Sequence, residues 1–160
     1  YPGDLDSATA TRKLEGLLRC GIRCIINLMD PNERDHEGLL FQPYEHDFQR
    51  LAAQRGLDVT CLRFPIRDAG VPSRETMRRI LDAIDDSIAR GRPVYVHCWG
   101  GVGRTGTVVG CWLARHGIAN GEEVLDHIAR LRHGDLARRD RPSPETDTQR
   151  ALVRSWRKGE

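Results

Sequence analysis

Three short apolar runs, separated by segments with helical periodicity, restrict this chain more than any other feature. The runs are IRCIINL at 22–28, DVTCLRF at 58–64 and VYVH at 94–97. Each is rich in residues that suit a pleated surface and too short to make a useful helix, so each predicts a strand. Between them, Phe48, Leu51 and Ala52 recur at helical spacing until Gly56, and Met77, Ile80, Leu81, Ile84 and Ile88 do so from a cap at Ser73 until Gly91 and Pro93. Leu14, Leu17 and Leu18 mark an earlier helix that stops at Gly21. Strands separated by helices predict an α/β fold with a mostly parallel central sheet flanked by helices on both faces. Ligands of such sheets bind beyond the carboxyl ends of the strands.

Beyond the third strand the pattern is helical only. Val108, Val109, Trp112 and Leu113 form one stripe, closed by Gly117, and Val124, Leu125, Ile128 and Leu131 form another, closed by Gly134. A last helix is expected with Ser143 as its cap, Pro144 in its first turn, and Leu152, Val153 and Trp156 on one face. With 160 residues and neither repeats nor a long linker, the chain reads as a single domain over 1–160.

Composition removes several function classes. A net charge of +2 is too small to signal nucleic-acid binding, although Arg138, Arg139 and Arg141 make a local basic cluster, read here as a solvated surface. No stretch approaches the ~18 apolar residues of a membrane span, and no secretory signal opens the sequence, which begins at Tyr1. The five cysteines, Cys20, Cys24, Cys61, Cys98 and Cys111, have no zinc-site spacing, and His36, His46, His116, His127 and His133 lack partners at ligand spacing, so neither a metal nor a cofactor is expected. An odd set of cysteines inside strand-like and helical runs suits a reducing, cytoplasmic setting.

The chemistry concentrates in HCWGGVGRTG, residues 97–106, which begins where the third strand ends. A strand that turns through glycines into a helix aims several backbone N–H groups and the positive end of the helix dipole at one point, which makes an anion site. Gly100, Gly101 and Gly103 allow the amides to converge and a ligand to come close. Arg104 adds a planar, permanently charged fork matched to two phosphate oxygens. A cysteine in the same positive field, Cys98, is the kind that serves as a thiolate nucleophile. A thiolate facing a bound phosphate points to phosphoryl transfer through a phosphocysteine.

Cys98, five residues, then Arg104, preceded by His97 and followed by Thr105 and Gly106, resembles the signature of the cysteine-dependent protein tyrosine phosphatases, dual-specificity branch. The loop is particularly similar to that of the kinase-associated phosphatase group. The resemblance rests mainly on residues 60–150. It implies that Cys98 is the nucleophile, that Arg104 binds phosphate and stabilises the transition state, and that Thr105 offers its hydroxyl to the sulfur. It makes Trp99, Gly100, Gly101, Val102 and Gly103 the remaining wall of the phosphate site and His97 a support for the loop. FPIRDAGVPS, 64–73, supplies Asp68 as the general acid. Arg67 departs from relatives, which often carry a small residue or proline there. SPETDTQ, 143–149, resembles the stretch that contributes a water-positioning glutamine, here Gln149, with a structural amide bonded to the loop backbone as its alternative.

The expected partner is a phosphorylated protein, with phosphate, vanadate or sulfate as ligands of the loop, and with no nucleic acid and no membrane. The alternatives are a catalytically silent phosphate-binding module and a phosphatase for an inositol lipid or an RNA 5′-phosphate. Phosphoinositide-directed relatives tend to place lysines in the loop, where this chain has Trp99 and Val102. The nucleotide-binding GxxxxGK[ST] pattern fails on spacing and on its lysine. A rhodanese-like sulfurtransferase would have no need of Asp68. Asp30, in MDPNER, suits a turn before Pro31.

Overall fold

The computed structural model of the chain describes residues 1–138 and 140–160, so Arg139 of the basic cluster lies outside the described residues. Among the described residues three strands and six helices follow one another as α1 (Ser7–Arg19), β1 (Cys24–Asn27), α2 (Glu45–Ala53), β2 (Thr60–Arg63), α3 (Arg74–Ala89), β3 (Val94–His97), α4 (Gly103–Arg115), α5 (Glu123–Leu131) and α6 (Asp147–Ser155). The described residues divide into two compact units, Tyr1–Pro65 with Ile84–His97, and Ile66–Ala83 with Cys98–Glu160.

The first unit holds the sheet. Its order is β2-β1-β3 and both pairings are parallel, with Ile25 opposite Cys61 on one side and Tyr95 on the other. β1 is central and fully buried, which explains why its sequence, CIIN, does not alternate. The single polar residue in it, Asn27, accepts from Met29 N at 2.9 Å and donates to Glu45 at 3.2 Å. Leu14 and Leu18 of α1 pack with Ile25 and with Tyr44, Phe48, Leu51 and Ala52. The strands are shorter than the apolar runs at both ends, since the paired register covers only Cys24–Asn27 with Thr60–Arg63. Only VYVH has the bounds read from the sequence.

The second unit is helical. α4 packs against α5 and α6, with Val108, Cys111, Val124, Ile128 and Val153 buried. The positive φ of Gly117, 66°, ends α4 as a left-handed C-terminal glycine. Three expectations need correction. α6 begins at Asp147 with Thr146 as its cap, because the Thr146 hydroxyl accepts from Gln149 N in a reciprocal capping box, while the hydroxyl of Ser143 lies away from the helix start and donates to Val102 O at 2.7 Å. Ile88 is 49% exposed, since the last turn of α3 instead turns inward Ser87, whose hydroxyl donates to Arg92 O. Leu131 is 62% exposed, as the buried stripe of α5 ends with Ile128. Among the described residues no helix is long and apolar enough to cross a membrane, and the five cysteines form no disulfide.

Candidate active site

The residues from Cys98 onward leave β3 and enter α4 within five positions. Gly101 has φ 69°, a conformation that other residues resist, and it turns the chain so that the helix starts at Gly103. Cys98 and Val102 are buried, Trp99 and Gly100 half-buried, and Gly101 exposed. At Gly103 a β-carbon would stand 3.0 and 3.1 Å from the amide atoms of Gln149, so a larger residue would press on that amide. At Gly106 a β-carbon would run into the Ser143 hydroxyl.

Thr105 Oγ1 donates to Cys98 Sγ at 3.2 Å. One residue earlier, Arg104 is a buried cation, 2% exposed. Its Nη1 donates to Ile66 O at 3.1 Å and its Nη2 lies 3.0 Å from Asp68 Oδ1. Two contacts among the expected site residues thus stand at the start of α4, Thr105 with Cys98 and Arg104 with Asp68. Asp68 is mostly exposed, so its carboxyl can move while the guanidinium cannot.

The loop bearing Asp68 includes Ala69 in the left-handed region, φ 57°. Holding a side-chain-bearing residue there requires anchoring by the surroundings. Gly70 N donates to Arg67 O at 2.9 Å, and Gly70 O accepts from Gln149 Nε2 at 3.0 Å. Gln149 is fully buried, and its Oε1 accepts from Glu145 N and Thr146 N, both at 3.1 Å. Arg67 is exposed.

His97 ends β3 and is buried. It is hydrogen-bonded to the Tyr44 hydroxyl and stacked on Tyr95, with ring centroids 5.6 Å apart. Burial pushes the Tyr44 phenol above the ordinary tyrosine range, and Glu45 adds to this, so the phenol keeps its proton. Asp30 accepts from Asn32 N at 2.8 Å, the turn role expected of it. Cys111 is buried within α4 and its thiol is pushed up by that burial.

One contact escaped the sequence reading. Arg138, read as part of a solvated cluster, donates to Gly100 O at 2.9 Å. Arg132 braces the same segment through Arg138 O and Arg141 O, at 2.9 and 2.8 Å. No local signal joins Arg138 to a glycine 38 residues earlier. Among the described residues no group of three or more His, Cys, Asp or Glu could hold a metal ion.

A family model described as a polymorphic toxin system DSP-PTPase phosphatase matches residues 4–118. The chain belongs to this phosphatase family. It is a member of the dual-specificity branch of the cysteine-dependent tyrosine phosphatases, as the loop implied. An uncharacterised protein of Methanocaldococcus jannaschii is 42% identical over 69 residues, which are 43% of this chain and 47% of that one. Mouse dual specificity protein phosphatase CDC14B is 38% identical over 81 residues, 51% of this chain and 16% of that protein. The chain therefore spans less than half the length of the curated relatives it matches. The active form of the phosphatase Tk-PTP superposes with a TM-score of 0.66 at 26% identity, covering 91% of this chain and 84% of that one. Kinase-associated phosphatase, with its catalytic cysteine replaced by serine, gives 0.66 at 21% identity over 90% and 73% of the two chains, a likeness of fold. The α/β architecture of this DSP-PTPase is that of these neighbours.

Proposed function

We propose that this DSP-PTPase hydrolyses phosphate monoesters of proteins, on tyrosine and on serine or threonine, through a phosphocysteine on Cys98. The observation that carries the reading is a pair of contacts at the start of α4, Thr105 with Cys98 at 3.2 Å and Arg104 with Asp68 at 3.0 Å. The N-terminal amides of α4 and the Arg104 fork take the three non-bridging phosphate oxygens. Trp99, Gly100, Gly101, Val102 and Gly103 complete that cradle. The Cys98 thiolate attacks phosphorus, the S–P bond forms, and the bond to the leaving oxygen breaks as that oxygen takes a proton from Asp68. Water then attacks phosphorus and gives its proton to the Asp68 carboxylate while the S–P bond breaks. The Thr105 hydroxyl donates to the sulfur at 3.2 Å, which stabilises the thiolate that attacks and the thiolate that leaves.

Phosphate binding requires Asp68 to move, because its carboxylate lies on the guanidinium that the phosphate needs. The exposure of Asp68 supports that movement, and a displaced Asp68 is placed to meet the leaving oxygen. His97 supports the loop from the end of β3, where Tyr44 fixes its ring.

Hydrolysis of an aryl phosphate by the wild type, Cys98→Ser and Asp68→Ala, with and without vanadate, tests the reading. Activity should be blocked by vanadate, abolished in Cys98→Ser and lowered about a hundredfold or more in Asp68→Ala. A wild type that binds vanadate but turns nothing over would make the chain a phosphate-binding module. A phosphopeptide panel showing strict tyrosine preference would overturn the dual specificity.

A further inference from the structure

One side chain at the start of α6 serves two elements. Thr146, the N-cap, accepts from Gln149 N at 3.2 Å, and Gln149 returns the contact by accepting Thr146 N through Oε1. Such a capping box uses only the oxygen of its third residue, so glutamate serves it as well as glutamine. The amide nitrogen of Gln149 is not needed by the helix. It donates to Gly70 O at 3.0 Å, across 79 residues of sequence.

Gly70 closes the loop that carries Asp68, and the same helix start touches that loop again, where Thr146 Oγ1 donates to Ala69 O at 3.4 Å. Ala69 is the left-handed residue, the one whose own backbone preference would let the loop relax. The loop is therefore fixed at its far end by α6 and at its near end by Arg104, through Ile66 O. On another side the Gln149 amide closes tightly on Gly103, the first residue of α4. One buried amide thus touches both the loop of the acid and the helix that opens the phosphate site.

We propose that Gln149 is a positioning residue for the leaving-group proton: by holding Gly70 O it sets where the Asp68 carboxyl stands over the phosphate. The inference rests on the reading of Asp68 as general acid. A role in directing water would instead act on the second chemical step. A merely structural role would slow every substrate alike.

The test compares phenyl phosphate with 4-nitrophenyl phosphate. The phenol of the first is about as basic as tyrosine and needs the proton to leave, whereas nitrophenolate needs it far less. Gln149→Glu keeps the helix cap and removes the donor to Gly70, and Gln149→Met, of similar length, removes donor and acceptor together. In each variant the ratio of kcat/KM for phenyl over nitrophenyl substrate should fall about tenfold. Because both rates come from one preparation, any misfolded fraction cancels. Placed on Asp68→Ala, neither substitution should lower the ratio further, since the two act through one proton.

An unchanged ratio in the single variants, or an equal fall in the Asp68→Ala background, overturns the inference. So does a burst of phenol followed by slow turnover at unchanged ratio, which would assign Gln149 to hydrolysis of the phosphocysteine. If Asp68→Ala itself leaves the ratio unaltered, the acid assignment fails and takes the inference with it. If only the Gln149 variants leave it unaltered, the acid stands and the inference alone falls.

Discussion

Alanine at Gly110 should have opposite effects in two backgrounds. Gly110 lies in the middle of α4 and faces α6: a β-carbon there would stand 2.7 and 2.8 Å from the two methyls of Val153 and 3.1 Å from Ile128 Cδ1. Carbon atoms rest about 3.5–4.0 Å apart, so Val153 would have to retreat by about 1 Å. Val153 is fully buried and its branched side chain has essentially one rotamer in a helix, so the retreat falls on the α6 backbone. The Ile128 terminus is flexible and gives way at little cost. Overpacking of this kind costs roughly 1–3 kcal/mol, against about 1 kcal/mol gained by replacing glycine with alanine in a helix. Gly110→Ala should therefore destabilise the wild type by about 1 kcal/mol. In Val153→Ala the opposing methyls are gone, and the same change should stabilise by about 1 kcal/mol. Urea unfolding of the four proteins gives the coupling, about 2 kcal/mol, from the midpoints at constant slope. Equal stabilisation in both backgrounds would refute the tight α4–α6 contact.

Three further outcomes follow from the site and the sheet. Arg104→Lys loses the fork that reaches Ile66 O and Asp68, and kcat/KM on an aryl phosphate should drop about a hundredfold or more; an unchanged rate would remove Arg104 from the chemistry. Burial alone would raise the Glu45 carboxyl, but its own backbone N–H, Arg63, the Tyr44 N–H and the Asn27 amide together hold it below the ordinary range. A depressed carboxyl contributes stability that is present above the unfolded value of about 4.3 and is lost as pH falls through the lower folded value. Melting temperatures of Glu45→Gln should accordingly decline less steeply than those of the wild type below about pH 4, and parallel curves would contradict this. Burial pushes the thiols of Cys24 and Cys111 up and that of Cys61 to about 12. At pH 7.5, iodoacetamide should label Cys20 and Cys98, the latter protected by vanadate, and mass spectrometry should find those three unmodified; early labelling of Cys111 would count against its burial.

What the sequence showed and what it hid divide along a physical line. The strands, their parallel arrangement and the loop from Cys98 to Arg104 depend on patterns a few residues long, which local physics writes into the chain. VYVH is bounded by Pro93 and by the glycine-rich turn, so its limits were legible. The start of α6 was not. SPETD offers two hydroxyl caps, and Ser143 is followed by a proline that suits a first turn. Thr146 is completed as the cap by Gln149 three residues on, whereas the Ser143 side chain is turned to Val102 O, 41 residues away. The inward face of Gln149 was readable from its spacing to Val153 and Trp156. Its bond to Gly70 was not, because backbone carbonyls leave no trace in a sequence. Ile88 and Leu131 extend apolar stripes past the point where there is anything left to cover them, a limit that periodicity alone cannot supply. Arg138 reaches Gly100 by a fold-dependent route and was indistinguishable from a solvated charge.

The pairing of Arg104 with Asp68 has a consequence for the end of the reaction cycle. A buried guanidinium left without an anion would be strongly unfavourable. Here the cation has a carboxylate at 3.0 Å in the resting protein, and on the proposed chemistry it has a phosphate during turnover. Product then departs by an exchange of anions rather than by separation of opposite charges. The tethered carboxylate competes for the arginine at high local concentration, and inorganic phosphate should be a weak inhibitor of a site built to grip it.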